Sequence, residues 1–539
     1  MRNRYTAILI ILLCFFLLPA TFAQQRKPQT TKKPVDKHQV KKTATNGAKT
    51  TKTSTKTTEK DTRSTTITNF TPEQIEGFKQ QSAQLVKFFE GTLNFLADKR
   101  NPVKEKQTIV TSSYLKSFWD DKVQVEDDLD EKRLVSLYKD IPAYLTDVDF
   151  FFKRAKFTYT VQEVAVMTNE IGQTYFKVTA NRTLTGLTVN DDSVNSNKVR
   201  YIEINYDDSK QQLKIVSIYT TKLNEQNDMR NWWNALPQAW KDIFGKDVQI
   251  DAGKNLNQVT LFSDSISTVN GEQMKLDAPR IYPLLTRIIT LGNIDLSGNA
   301  SVTDLTPLGK LSGLKEVNLS GTPVSDLMPL KNLNDLEVLD ISGTQVISLE
   351  PLRYSNHIKI LKMKGTKIPD LEMIANFSDL SELDLSSTPV TSLAPLKDLT
   401  ALRDLRFSNT GITDLTPLTG LTQLTILYFS DTKVEDITPL AGLKNLQVTV
   451  FDKTNVKSLS ALENSPQLIR VFCDNSKVAR AEAIGFMVKH PEILVIFATD
   501  ELQKWWTAMS PEWKKVFNQY RKIDASPTSE QLHRLATID

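Results

Sequence analysis

At 539 residues the chain is long enough for several cores rather than one, taking about 100 to 200 residues per domain. Its net charge of +4 is unevenly spread: residues 24–68 hold twelve Lys/Arg against three Asp/Glu, and setting aside that +9 and the +2 of Arg2 and Arg4 leaves about −7 for the rest. A mildly acidic folded part argues against a nucleic-acid-binding core, and with Cys14 and Cys473 as the only cysteines, packing rather than disulfides must hold the fold.

Arg2 and Arg4 precede an apolar run from Ala7 to Leu18, and Thr21-Phe22-Ala23 offers a small-residue cleavage site, the pattern of a secretory signal peptide over 1–23. The run is shorter than the ~18 apolar residues a spanning helix needs. After its removal no integral membrane span is expected, and the protein is expected to be exported to the periplasm, the cell surface or the medium. Residues 24–68, rich in Lys and Thr and poor in large apolar residues, read as a disordered linker, either a solvated spacer or a basic segment associating with an anionic envelope.

Order begins at Thr71-Pro72-Glu73-Gln74, a capping box with Pro at the first helical position. Ile75, Phe78, Leu85, Val86, Phe89, Leu93 and Leu96 then recur at helical spacing. Further helices are expected over 103–119 and 130–146, with the acidic run EDDLDE (Glu126 to Glu131) as a solvated face lacking the glycine of a calcium loop. The period then changes to two: FTYTVQEVAVM, QTYFKVTANRTLTG, KVRYIEINYDD and LKIVSIYTT read as four strands of an α+β domain over 69–224. Helices followed by an antiparallel sheet, with the pair RYIEINY/LKIVSIYT, resemble the NTF2-like cone fold. That resemblance implies a pocket, whose enzymes commonly use a His or Asp, yet the four histidines, His38, His357, His490 and His533, all lie outside this region.

Six of the seven tryptophans fall in two copies of one phrase, RNWWNALPQAWKDIFGKD and QKWWTAMSPEWKKVFNQY. Each copy is expected to form two short helices meeting at Pro237 or Pro511, with Trp232, Trp233, Trp240 and Phe244, and Trp505, Trp506, Trp513 and Phe517, packed as helical caps over 225–284 and 501–539.

Between them the sequence repeats every 22 residues, as in LKEVNLSGTPVSDLMPLKNLND, with Leu314, Leu336, Ile358, Leu380, Leu402, Leu424, Leu446 and Leu468 opening successive units. Such a period means a solenoid over 285–500, because one unit cannot bury its apolar face alone. The frame LxxLxLxxT closely resembles the internalin-like leucine-rich repeats of bacterial surface and secreted proteins, which implies protein recognition on the concave sheet and no catalysis. Thr322, Thr344, Thr366, Thr388, Thr410, Thr432 and Thr454 form a column expected to bond turn backbone, and Asp or Ser ahead of L-x-P-L is expected to open a short 3₁₀ turn on the convex side.

The third, fifth and seventh positions of each unit should face outward on the concave side. There Asp384, Asp404, Arg406, Ile426, Tyr428, Val448, Val450, Arg470 and Phe472 make an apolar and aromatic patch edged by charge, with Phe497 ending the fifth-position column unless the flanking segment covers it and Phe472. No metal-ligand cluster, phosphate loop or Ser/His/Asp arrangement stands out, so no cofactor, metal or catalytic residue is assigned. The sequence reads as a multidomain, exported, non-catalytic recognition protein with a protein partner; the alternative is a small-ligand-binding or enzymatic cone domain with the repeats as targeting scaffold.

Overall fold

The computed structural model describes residues 70–130, 137–169, 172–222, 224–262, 266–275, 278–520, 523–524, 526–528 and 531–532. They fall into two compact units, one ending at Ala498 and one starting at Thr499. The signal-peptide and linker readings lie outside the described residues.

Helix α1 (Pro72–Ala97) starts as its capping box dictates: Thr71 Oγ1 accepts the Gln74 N–H, and Gln74 Oε1 accepts the Thr71 N–H. Its buried stripe, Val86, Phe89, Leu93 and Leu96, packs on a six-stranded sheet. The sheet is ordered β2 (Leu137–Asp140), β1 (Gln124–Asp127), β6 (Gln212–Tyr219), β5 (Ser193–Asp207), β4 (Thr174–Thr188), β3 (Phe152–Thr168). All neighbours are antiparallel except β1 and β6. Strand β3 would leave a long free edge, which α1 partly blunts: Glu90 and Asn94 accept the N–H groups of Tyr159 and Phe157.

Three elements differ from expectation. The helix expected over 103–119 stops as α2 (Val103–Thr111), followed by a 3₁₀ turn at Ser113–Lys116, because Phe118 bridges to Ile215 and joins the sheet. The helix expected over 130–146 is instead strand β2 followed by α3 (Ile141–Phe151), with Pro142 in its first turn. The acidic run is no solvated face: Glu126, Asp127 and Asp128 are all buried, because β1 is an inner strand whose carboxylates find partners across the domain.

After this sheet, α4 (Glu225–Ala235) and α5 (Gln238–Gly245) meet at Pro237. Trp233 is fully buried and donates from Nε1 to the Val259 carbonyl (3.1 Å); Trp240 donates to Asp304 of the first repeat (3.1 Å). With Phe244 they belong to one apolar core that continues into Leu296 and Val302. Trp232 is only partly buried against that core. A small antiparallel sheet, β7 (Val259–Leu261), β8 (Ile266–Val269) and β9 (Glu272–Lys275), and helix α6 (Ala278–Ile289) complete this region.

Ten three-residue strands then form one parallel sheet: β10 (Asn293–Asp295), β11 (Glu316–Asn318), β12 (Val338–Asp340), β13 (Ile360–Lys362), β14 (Glu382–Asp384), β15 (Asp404–Arg406), β16 (Ile426–Tyr428), β17 (Val448–Val450), β18 (Arg470–Phe472) and β19 (Leu494–Ile496). The conserved geometry of each turn has a visible cause. Every column threonine donates its hydroxyl to the carbonyl three residues back, as Thr322 does to Leu319 and Thr454 to Phe451. Just before it the backbone turns left-handed, at Gly321, Gly343 and Gly365 and then at Ser387, Asn409, Asp431 and Lys453, and the outer units turn likewise at Gly298 and Asn475, ahead of Asn299 and Ser476. On the opposite side Asp326, Asp414 and Asp436 each accept a backbone N–H at 2.8 Å to open a 3₁₀ turn. In the last unit a full helix, α7 (Arg480–Lys489), takes the place of that turn.

In the second unit α8 (Thr499–Ala508) and α9 (Pro511–Tyr520) again meet at the proline. Trp506 is buried with Ile523 and Leu532, and Trp505 and Phe517 pack alongside. Trp513, expected to be packed, is 60% exposed, with its ring centre 6.3 Å from that of Phe517.

Candidate functional site

Strand alternation sends the middle residue of each strand from β11 to β18 into the core and its two neighbours to the concave surface. Leu405, Leu427 and Val471 are thus fully buried, whereas Asp404, Arg406, Ile426, Tyr428, Val448, Val450, Arg470 and Phe472 all keep part of their surface in solvent. The register sets Asp404, Ile426, Val448 and Arg470 in one column, and Asp384, Arg406, Tyr428, Val450 and Phe472 in the next. The fifth-position column ends differently from the expectation: Phe472 pairs with Ile496, not Phe497, because the helix in the last unit lengthens it by two residues. Ile496 is fully buried, and Phe497 packs against the solenoid core.

Two halves of this face differ in chemistry. Toward the first strands, Asp295, Asn318, Asp340 and Asp384 each turn their side chain back to accept the N–H two residues on, at 2.9 to 3.0 Å, so these side-chain oxygens serve their own turns. Toward the last strands that role passes to the seventh position: Ser408 accepts from Ser430, Ser430 from Asp452, and Asp452 from Asp474 (2.7 Å). The fifth position is thereby released for apolar side chains. Arg406 marks the boundary, held by Asp404 through two hydrogen bonds (2.8 and 2.9 Å) with its guanidinium 4.6 Å from the Tyr428 ring centre. Beneath the patch Phe407, Phe429 and Phe451 stack at 5.6 and 5.3 Å, a rigid floor for it. Burial, with the neighbouring charge of Asp474, raises the Asp452 carboxyl to about 6.

The convex side carries a contact that sequence reasoning missed. Asp149, at the end of α3, is fully buried and accepts from Lys106 Nζ, Arg353 Nη1 and Tyr354 Oη, each at 2.7 Å, with Lys99 also paired. Burial opposes its charge, but the Lys106 hydrogen bond and the Lys99 and Arg353 charges hold its carboxyl below the ordinary value. Next to it Asp147 pairs with Lys331 (2.9 Å), and Gln107 bonds Asn356 (2.6 Å). The α+β part therefore contacts the 3₁₀-turn side of the repeats, through Ser312, Met328, Lys331, Arg353, Tyr354 and Asn356.

The interior of the α+β part is filled by Phe89, Phe118, Tyr144 and Tyr159 and by a buried ion cluster. Asp128 takes Arg182, Arg200 (3.4 Å) and the Tyr144 hydroxyl (3.0 Å); against the cost of burial, the Arg200 and Arg182 charges hold it below its ordinary value. Among the described residues no three His, Cys, Asp or Glu are grouped to hold a metal, and no helix is long and apolar enough to cross a membrane.

Stacked strand-and-turn units on one parallel sheet, with a leucine column inside, define a leucine-rich repeat solenoid of the α/β type. Residues 400–442 match the family model described as Leucine Rich repeats (2 copies). No curated protein matches the chain. Among solved structures the chain is similar to the internalin inlF from Listeria monocytogenes, at 24% identity over 39% of this chain and 62% of that one, with a TM-score of 0.36. An internalin C2 from the same organism is 32% identical over 34% of this chain and 82% of that one (TM-score 0.33), and a leucine-rich repeat protein of Leptospira interrogans 20% identical over 40% and 56% (TM-score 0.37). The chain thus spans less than two thirds of the length of inlF.

Proposed function

We propose that this chain is an exported, non-catalytic recognition protein that holds a partner protein on the concave face of internalin-like, 22-residue repeats. One observation carries the reading: the change along the face from turn-serving Asp and Asn side chains to a partly exposed apolar patch, Ile426, Tyr428, Val448, Val450 and Phe472, with Arg406 and Arg470 at its sides. Partly exposed aromatic and aliphatic side chains over a stacked aromatic floor, with Tyr and Arg as anchors, fit the anatomy of a binding hot spot. In the same reading residues 69–224 are an NTF2-like cone whose pocket is packed shut, the first Trp phrase caps the start of the solenoid, and the second is the C-terminal cap or the start of a further module. The packed interior of the cone supports recognition over small-ligand chemistry.

The test is a pull-down from envelope and culture material with the mature chain, beside the same chain carrying Arg406→Glu, Ile426→Asp and Tyr428→Ala, both shown folded by circular dichroism. A protein retained by the first and lost by the second is the expected outcome. Identical retention by the two would remove the concave face from consideration.

A further inference from the structure

Strand β10 is the edge of the ten-stranded sheet, and its pairing to β11 determines which of its backbone groups stay free. Glu316 N–H donates to the Gly292 carbonyl and Leu296 N–H to the Asn318 carbonyl (2.8 Å), so Gly292, Ile294 and Leu296 address β11. The N–H and C=O of Asn293 and Asp295 therefore point to the opposite side, where no strand of the described residues lies. That side is a cleft of about 710 Å³, walled by β10, by α5 and the residues after it, and by the end of α6. The volume lies within the ~300–1,000 Å³ of ligand-binding clefts.

Four free backbone groups alternating along an extended strand are matched by another extended backbone and by little else. The cleft is also charged: Asp242, Asp247, Asp295, Lys246 and Arg287 line it, an excess of one negative charge, and among the described residues none of the five forms an ion pair. We infer that the free edge of β10 is a second binding site, which takes an extended, basic peptide segment of a partner protein by strand addition between β10 and α5. The site is separate from the concave patch of β15–β18, so it stands whether or not that patch binds.

Proline at position 293 removes one free-edge N–H and leaves the β11 ladder whole, as proline is tolerated on edge strands whose N–H faces outward. The probe is a fluorescein-labelled octapeptide of alternating Lys and Val, titrated by anisotropy into the full chain. Saturable binding is expected, weakened at least about tenfold by Asn293→Pro at an unchanged melting midpoint, weakened likewise by N-methylation of every peptide amide against the unaltered protein, and kept by Tyr428→Ala. A peptide of alternating Glu and Val is expected to bind more weakly. The assignment is overturned by the absence of saturable binding, by binding indifferent to both Asn293→Pro and N-methylation, by preference for the acidic peptide, or by loss with Tyr428→Ala, which would move the peptide to the concave face. A concentration-dependent dimer abolished by Asn293→Pro would give the edge to a second copy of the chain and overturn it equally.

Discussion

Thr449 occupies the middle of β17, in the inward column that runs through Leu405 and Leu427 before it and Val471 after it. It is fully buried, and its hydroxyl has no hydrogen-bond partner among the described residues. An unsatisfied buried hydroxyl costs about 1–3 kcal/mol, and Thr449→Val replaces it with a methyl of the same shape in an otherwise apolar column. A gain of about 2 kcal/mol is expected, which at about 2–4 °C per kcal/mol for a cooperative unit of 150–250 residues raises the melting midpoint by roughly 4–8 °C. Differential scanning calorimetry of the parent, Thr449→Val and Thr449→Ser reads this directly, the serine variant melting lowest because it keeps the hydroxyl and loses the methyl. A valine variant melting at or below the parent would show that the hydroxyl is satisfied in solution, and the reasoning from its burial would fail.

Asp149→Ala leaves Lys106 and Arg353 buried without their shared carboxylate, so a loss of about 3–5 kcal/mol is expected in denaturant unfolding. Adding Arg353→Ala in that background should cost much less than Arg353→Ala alone; equal costs would contradict the pairing. Because Asp149 is held below its ordinary value, its contribution is complete above about pH 4 and fades as pH falls through its folded value. Asp452 behaves oppositely: with its carboxyl raised to about 6, its folded form favours the proton, and the repeats lose stability as pH rises through 6. Asp452→Asn keeps the oxygen that accepts from Asp474, and after allowance for solvent screening about 1 kcal/mol should be gained at pH 8 and nothing at pH 3.5, read from paired melts. Gly343→Ala should cost about 1 kcal/mol through its φ of 70° alone, since the added Cβ would meet nothing nearer than 3.7 Å; an unchanged midpoint would refute that account.

What could be read in advance was what the chain states locally or repeats. The capping box at Thr71, the threonine column and the inward leucines depend on neighbours a few residues away or on a copy at a fixed interval. The hairpin of β1 and β2 escaped because its signal is distant: Glu126, Asp127 and Asp128 look like surface until Arg182, Arg200 and Lys139 arrive from other strands. Strands β7 to β9 are three or four residues long, too short to show a period. On the concave face the columns were legible as far as Phe472, and the register slipped by one at Ile496 where the repeat changes length. The division of that face into turn-serving and released side chains was not legible, since an Asp in an Asx turn and an Asp facing a partner share one letter.

The Asp149 contact also bears on how the molecule carries load. It joins Asp149 to Arg353, 204 residues further on, and so short-circuits the strands, Trp helices and first repeats between them. Tension applied at Phe70 and at Ala498 would pass through this clasp first, sparing the enclosed segment until the clasp yields. Pulled in a single-molecule trap, the chain should therefore lengthen first in the repeats beyond Arg353, and release the enclosed segment as a later, larger step that Asp149→Ala makes early.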